Sequence, residues 1–160
     1  MHTFEERLGE IIEQLPTFDG IKIKYQWGNE DVLKKYLIKN QSAYPLIWLV
    51  NGKRNIDNVL RETQSNCMVI ICNLSKNPQE FNPVIYQRDY KFCINPITDN
   101  FIHALETATI STMTKNYSIE DYPNYLLVGG DKQSTLGIWN ARAIDLDLKF
   151  NNNCLRTIIF

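Results

Sequence analysis

Two aspartates near the end of the chain are spaced so that they could support catalysis. Asp145 and Asp147 stand two positions apart, so on a strand both carboxylates would lie on one face. With a third carboxylate from elsewhere they could bind a divalent cation, as in a small metal-dependent hydrolase. Their alternation with Ile144, Leu146 and Leu148 favours a simpler interpretation, in which the aspartates form the solvated face of a half-buried strand.

The histidines offer a second candidate for chemistry. His103 lies on a predicted helix near Glu106 and could act as a base if a cysteine or carboxylate approached it. We expect instead a structural histidine on or near the helix surface. His2 is close to the chain terminus, and the two histidines lack the spacing of a zinc ligand set.

Two short acidic segments could be read as parts of a nuclease site. Asp89 precedes Lys91 by two positions, and Glu120 adjoins Asp121. Neither pair has a proline- or glycine-framed context, so we expect structural roles for both. Residues 129–135 superficially resemble a phosphate loop but lack the GxxxxGK[ST] order, and we expect a hairpin turn or a mobile loop there.

A basic stretch near two aromatic residues could hold a nucleic acid. Aromatic rings can stack on bases while neighbouring cations hold phosphate. Tyr25 and Trp27 share an apolar face with Ile23, which predicts aromatic rings in the core and solvated lysines on the other face. The lysines of this stretch are Lys22, Lys24, Lys34, Lys35 and Lys39.

The cysteines are expected to be free thiols. Cys67 and Cys72 lie in one apolar segment, and their odd separation would place them on opposite faces of a strand. Zinc sites pair cysteines two to four residues apart on a turn, whereas buried thiols pack as small apolar side chains. Cys93 and Cys154 complete the set. With no recognisable secretion signal, we expect a reducing compartment and no disulfides.

Length and composition indicate one globular domain. The 160 residues are 44% apolar and 22% charged, and 17 basic against 18 acidic residues give a net charge of −1. This balance argues against a strongly basic protein that coats nucleic acid. No apolar run reaches the roughly 18 residues of a membrane span, so no membrane partner is expected.

Periodicity predicts three helices and several strands. Residues 4–15 and 31–39 carry apolar side chains at helical spacing, and Thr3 with Glu6 forms a capping-box pattern. Asn95 and Pro96 predict the start of a third helix, with Asn95 as N-cap. Strands are expected at residues 21–27, 45–50, 67–74, 125–128, 144–150 and 155–160, whereas residues 56–63 and 84–92 are ambiguous.

This order of elements predicts a single α+β domain over residues 1–160. We expect an antiparallel or mixed β-sheet with helices packed on one face. Residues 1–110 would form an α/β core, and residues 111–160 a β-rich C-terminal extension. Alternating strands at a sheet edge expose unpaired backbone groups, which a symmetric oligomer can pair between subunits.

An ordered set of segments in residues 1–110 carries a family resemblance. An amphipathic helix and the strand at 21–27 precede the run YPLIWL at 44–49, the run NCMVIIC at 66–72 and the helix INPITDNFIHAL at 94–105. This order resembles the tail-terminator, tail-completion and head–tail connector ring proteins of tailed bacteriophages. Residues 111–160 have no counterpart in that resemblance.

The resemblance implies a structural virion protein without enzymatic activity, cofactor, catalytic residue or metal site. Such proteins form homo-oligomeric rings, often six- or twelve-fold, in the neck or tail of the virion after assembly in the host cytoplasm. Their neighbours are portal, connector and tail proteins, and genome DNA passes through the lumen without sequence-specific binding. A net charge of −1 suits the passage of DNA through such a lumen, because strong Lys and Arg contacts would hold the DNA phosphates. The alternatives are a cytosolic binding or regulatory module using the basic aromatic stretch, or a small metal-dependent hydrolase.

Overall fold

A computed structural model describes residues 2–40, 42, 44–74, 82–114, 116–123 and 139–160. In chain order the elements are α1 (Phe4–Ile12), β1 (Lys24–Trp27), α2 (Glu30–Lys39), β2 (Leu46–Val50), β3 (Arg54–Asp57), β4 (Glu62–Leu74), α3 (Asn82–Ile85), a π-helix (Tyr86–Ile94), α4 (Asn95–Thr107), β5 (Ser111–Met113), β6 (Ser118–Tyr122) and β7 (Trp139–Asn151). None of the helices within these ranges is long and apolar enough to cross a membrane.

The strands form one mixed β-sheet. Its main order is β1-β2-β4-β7-β5, with β3 beside the first part of β4 and β6 beside the first part of β7. The β1–β2 pair is parallel, and the other pairs are antiparallel. The predicted α+β fold with a mixed sheet is therefore confirmed.

Two long strands make the centre of the sheet. β4 and β7 each have 13 residues and pair along their whole length, from Glu62 opposite Asn151 to Leu74 opposite Trp139. The predicted strand at 144–150 is part of β7, and its apolar face is buried as expected. Residues 139–151, which we assigned to a C-terminal extension, thus occupy the middle of the sheet because β7 pairs on both sides.

One face of the sheet packs against α1, the π-helix and α4. The largest apolar cluster joins Leu8 and Ile11 of α1 and Phe101 of α4 to Val69 and Ile144 of the central strands. The predicted N-cap of α1 is confirmed, since the Thr3 N–H donates to Glu6 Oε2 (2.7 Å) and the Glu6 N–H donates to Thr3 Oγ1 (3.2 Å). The helix ends at Ile12, one turn before the predicted end at residue 15.

The other face packs against α2. Leu33 and Leu37 contact a smaller cluster that includes Trp48 and Ile70. Trp48 is buried, and its indole N–H donates to the Gly28 carbonyl oxygen (3.0 Å). We expected all helices on one face, but α2 lies opposite α1 and α4. The reason is that β2 and β4 are apolar on both faces, so both need cover.

The helical segment after residue 81 is continuous through Thr107. Residues 84–92 had no clear assignment, and the structure places them in α3 and the π-helix. We predicted Asn95 as an N-cap, but its backbone is helical and its N–H donates to the Tyr90 carbonyl oxygen. Pro96 lies in the first turn of α4, where the hydrogen bonding changes from π-helical back to α-helical, and the first turn is the part of an α-helix that tolerates proline.

Several predicted segments differ or lie outside the described residues. β1 begins at Lys24, three residues later than predicted, and residues 155–160 form no strand. β3, β5 and β6 are short strands that the periodicity of the sequence does not predict, although the ambiguous residues 56–63 include the end of β3. The predicted strand at 125–128 and the loop at 129–135 lie outside the described residues.

Candidate functional site

Asp145 and Asp147 lie on one face of β7, as the alternation predicted. Asp145 is exposed, but Asp147 is buried and accepts a hydrogen bond from Gln64 Nε2 (3.2 Å). The expectation of two solvated carboxylates is therefore wrong for Asp147, because Gln64 on the neighbouring strand covers it. Within the described ranges, no group of three or more His, Cys, Asp or Glu side chains is placed to hold a metal ion.

His103 lies on the exposed surface of α4. Its Nε2 is 2.9 Å from the Ile159 carbonyl oxygen, and its ring lies 5.8 Å from the ring of Phe160. These contacts attach the C-terminal segment to α4. The expected structural role of His103 matches this placement.

In each of the other two candidate pairs, Asp89 with Lys91 and Glu120 with Asp121, the aspartate forms an ion pair with an arginine. Asp89 is buried and accepts two hydrogen bonds from Arg88 (2.8 and 2.7 Å) and one from Asn140 Nδ2 (2.6 Å). The Asp121 carboxylate accepts hydrogen bonds from Nε and Nη2 of Arg142 (2.7 and 3.1 Å). Both aspartates thus belong to structural ion pairs.

Tyr90 connects these two ion pairs to the sheet. Its hydroxyl donates to the Ala141 carbonyl oxygen (2.8 Å), and the Arg142 guanidinium lies over its ring at 5.6 Å. Burial raises the pKa of Tyr90, which keeps the hydroxyl protonated as a donor. Sequence reasoning missed Arg142 and Asn140 because Arg142 meets Asp121 only through the pairing of β6 with β7, and Asn140 meets Asp89 only where the π-helix packs on β7.

The basic aromatic stretch is divided by the sheet. Lys24 stands opposite Leu46, on the α2 face, whereas Trp27 stands opposite Leu49, on the α1 face. Trp27 was predicted in the core, but 49% of its surface is exposed. The reason is that β1 is an edge strand, so its last residue has little cover.

The cysteines match their prediction in placement. Cys67 and Cys72 lie in the clusters on opposite faces of the sheet, and the four thiols are free. Burial raises the pKa of Cys67 to about 12, with smaller contributions from Asp147 and Asp145. A thiol with such a pKa is a poor nucleophile near neutral pH. Cys154 alone among them is exposed.

The most exposed of the large apolar residues that the structure describes, Val59, lies on the turn between β3 and β4. Val59 is 90% exposed and Leu60 is 63% exposed, and Ile56 beside them is also exposed. We name Ile56, Val59 and Leu60 the β3–β4 tip. Asp57 Oδ1 accepts hydrogen bonds from the backbone N–H groups of Val59 and Leu60 (both 2.9 Å), which fixes the turn.

The base of the β3–β4 tip is tied to α1 and β4. Glu5 accepts hydrogen bonds from Arg54 and from Asn51 Nδ2 (2.8 Å). Gly52 lies so close to β4 that a Cβ atom there would overlap the Asn66 carbonyl oxygen. The turn between β2 and β3 therefore requires glycine, and it directs β3 along β4.

A cleft of about 440 Å³ lies at the far end of β4. Its walls are largely apolar, and Phe92 on its rim is 65% exposed. Asp19 and the Arg88–Asp89 pair supply polar groups at its edge. We name it the end cleft, and its apolar lining is Phe18, Ile21, Tyr44, Pro45, Leu74 and Phe92.

Both sides of the sheet end in strands that have one partner each in the described part of the chain, β1 and β3 on one side and β5 and β6 on the other. β1 pairs only with β2, and β6 pairs only with β7. Most of the side chains on both strands are exposed. Such edges present backbone donors and acceptors that another strand can use.

Comparison with known proteins adds no relative. A scan against protein-family models and a search of curated proteins found no match for this chain. The class defined by the geometry is a mixed-sheet α+β protein with an exposed apolar turn and open strand edges.

Proposed function

We propose that this chain is a structural subunit of a homo-oligomeric ring at the head–tail junction of a tailed bacteriophage. It would assemble in the host cytoplasm and reside in the neck or tail of the virion, between portal, connector and tail proteins. The observation that carries the proposal is the β3–β4 tip, because two aliphatic side chains held in water indicate a contact surface. The sequence pattern of residues 1–110 supports the same class.

The open edges of the sheet support contacts with the other proteins of the assembly. Exposed edge strands invite pairing with another chain, and proteins that remain monomeric usually block them. β1 and β6 lie at opposite sides of the sheet. A subunit with two such edges and an exposed apolar turn can contact neighbours on several sides, as a ring in a stacked assembly requires.

The charge balance suits a channel for DNA. With a net charge of −1, the chain has no overall excess of cations that would hold phosphates by counterion release. Genome DNA would pass through the lumen without sequence-specific contacts.

The test is the oligomeric state of the full chain and its presence in virions. We expect light scattering after size-exclusion chromatography to give one large species, and negative-stain electron microscopy to show rings with a hollow centre. Mass spectrometry of purified particles should detect the chain. A monomer at every concentration, together with absence from the particle, would overturn the proposal.

A second candidate function follows from the exposure of Trp27. Its ring is accessible for stacking on a base, and the exposed Lys24, on the other face of β1, and Lys22, before the strand, place cations at the same edge of the sheet. A binding or regulatory module would therefore bind single-stranded nucleic acid weakly and in a salt-sensitive way.

A gel-shift titration at low salt tests this second candidate. Binding that falls on Trp27→Ala and on the double change Lys22→Glu with Lys24→Glu would support it. The double change Lys53→Glu with Lys91→Glu, on two exposed lysines outside the basic stretch, is the matched charge control. A flat titration of the wild-type chain rejects the candidate.

A further inference from the structure

The β3–β4 tip and the end cleft lie at opposite ends of β4. The tip adjoins Glu62, the first residue of β4, and the cleft includes Leu74, the last. Twelve residue steps along a strand span about 40 Å. The subunit therefore has a protrusion at one end of its longest strand and a recess at the other.

Size and chemistry match between the two features. An apolar cavity of about 150 Å³ can hold a benzene molecule, so a cleft of about 440 Å³ has room for two aliphatic side chains. The tip offers Val59 and Leu60, and the cleft offers aromatic and aliphatic walls. Both apolar surfaces are exposed to water, which is unfavourable, and contact between them would bury the two surfaces together.

One charged residue that forms no ion pair in the described part of the chain lies at each feature, and the two residues have opposite signs. Arg61 follows the tip, and Asp19 lies on the rim of the cleft. Within the described ranges neither Arg61 nor Asp19 forms an ion pair. A tip placed in the cleft of another copy brings a cation toward a carboxylate, which favours this orientation over others.

The tip is already held in one conformation. The Asp57 carboxylate binds the backbone N–H groups of Val59 and Leu60. Arg61 has a positive φ of 52°, which closes the turn. A preordered turn loses little conformational entropy when it binds.

We propose that the β3–β4 tip of one copy inserts into the end cleft of a second copy of this chain. This contact joins two different surfaces, and such head-to-tail contacts repeat from subunit to subunit and form a ring when the rotation between neighbouring copies closes. The inference rests on the proposed ring function, and it names the surfaces that build the ring.

Variants that remove one surface at a time test the contact. The tip variant carries Val59→Asp and Leu60→Asp, and the cleft variant carries Phe92→Asp. Ile21→Asp provides an independent cleft variant, and Ile159→Asp is the matched control because it places the same charge on another exposed apolar residue. Circular dichroism and thermal unfolding show that each variant is folded.

The decisive measurement is an equimolar mixture of the tip variant and the cleft variant. Each alone should remain monomeric, with association weakened at least about a hundredfold by the lost burial of aliphatic or aromatic surface. The mixture should form a one-to-one heterodimer and nothing larger, because only one intact tip and one intact cleft can meet. The Ile159→Asp control should assemble like the wild type.

A charge exchange checks the orientation of the contact. Arg61→Glu or Asp19→Lys alone should weaken association by about fivefold. The double variant should recover most of it, since each contact again pairs opposite charges across two copies. Loss without recovery would contradict the proposed pairing.

The outcomes separate this inference from the proposed function. If the wild type forms rings and folded tip and cleft variants form them equally well, the tip-to-cleft contact is wrong and the ring function stands. A mixture that stays monomeric also overturns the contact. If the wild type is monomeric at every concentration and absent from virions, the ring function fails as well.

Discussion

Two valines ten positions apart on neighbouring parts of the same hairpin have opposite surroundings. Val69 lies in the middle of β4 and is completely buried, whereas Val59 at the β3–β4 tip is almost fully exposed. Val69 packs between the central strands and the helices on the α1 face. The comparison teaches that buried side chains such as Val69 stabilise the fold. The exposed side chain of Val59 buries almost no surface within the subunit and is available for contact with another molecule.

A buried and an exposed tryptophan show the same contrast, and they should give the largest difference in the free energy of unfolding. Trp48→Ala removes a fully buried ring and its hydrogen bond to Gly28, and we expect a loss of about 3–5 kcal/mol in the free energy of unfolding. Trp27→Ala removes a half-exposed ring on an edge strand and should cost less than about 1 kcal/mol. Urea unfolding at one low protein concentration measures both. Equal losses would contradict the central position of β2.

The valines themselves sharpen the comparison. Val69→Ala leaves a cavity in the core and should cost about 1.5–3 kcal/mol of unfolding free energy while association is retained. Val59→Ala should change the unfolding free energy by less than about 0.5 kcal/mol but weaken association. Unfolding and light scattering are measured on both variants. A variant that lowered stability and association to the same degree would contradict the contrast between the core and the tip.

The ion pair at the base of the tip should give a smaller, pH-dependent effect. Burial raises the pKa of the Glu5 carboxyl, but hydrogen bonds from Arg54 and Asn51 and the charge of Arg54 outweigh it and hold the pKa below its usual value. A carboxyl whose pKa is lowered on folding contributes stability near neutral pH and loses it as pH falls through the folded-state pKa. Glu5→Gln should therefore cost about 1–2 kcal/mol at pH 7.

The gap between wild type and Glu5→Gln should close as the pH falls below the ordinary carboxyl range. Urea unfolding from pH 7 to pH 3 measures it. Glu13→Gln, on an exposed residue near the end of α1, is the matched control and should show no such trend. A gap that stays constant with pH would show that the Glu5–Arg54 contact does not tie β3 to α1.

Local signals in the sequence predicted the elements that local chemistry determines. The capping box at Thr3, the buried run around Trp48 and the alternation in β7 all appear where expected. Each depends on neighbours within a few residues. The opposite faces of Cys67 and Cys72 follow from the same alternation.

What the sequence did not reveal depends on pairing between distant segments. The burial of Asp147 and the partner of Asp121 become visible only when β7 is placed beside β4 and β6. The exposure of Trp27 depends on β1 being an edge strand, which periodicity does not indicate. Residues 155–160 have strand-like composition, but their placement beside α4 comes from the contact of His103 with Ile159.

The paired β4 and β7 strands also have a mechanical consequence. Both strands lie along the line that joins the β3–β4 tip to the end cleft. Because both points are attached to β4, a pull between them is carried along the extended backbone of β4, and the hydrogen bonds to β7 hold that strand in place along its whole length. The subunit is therefore stiff along the direction in which neighbours that gripped its two ends would strain it.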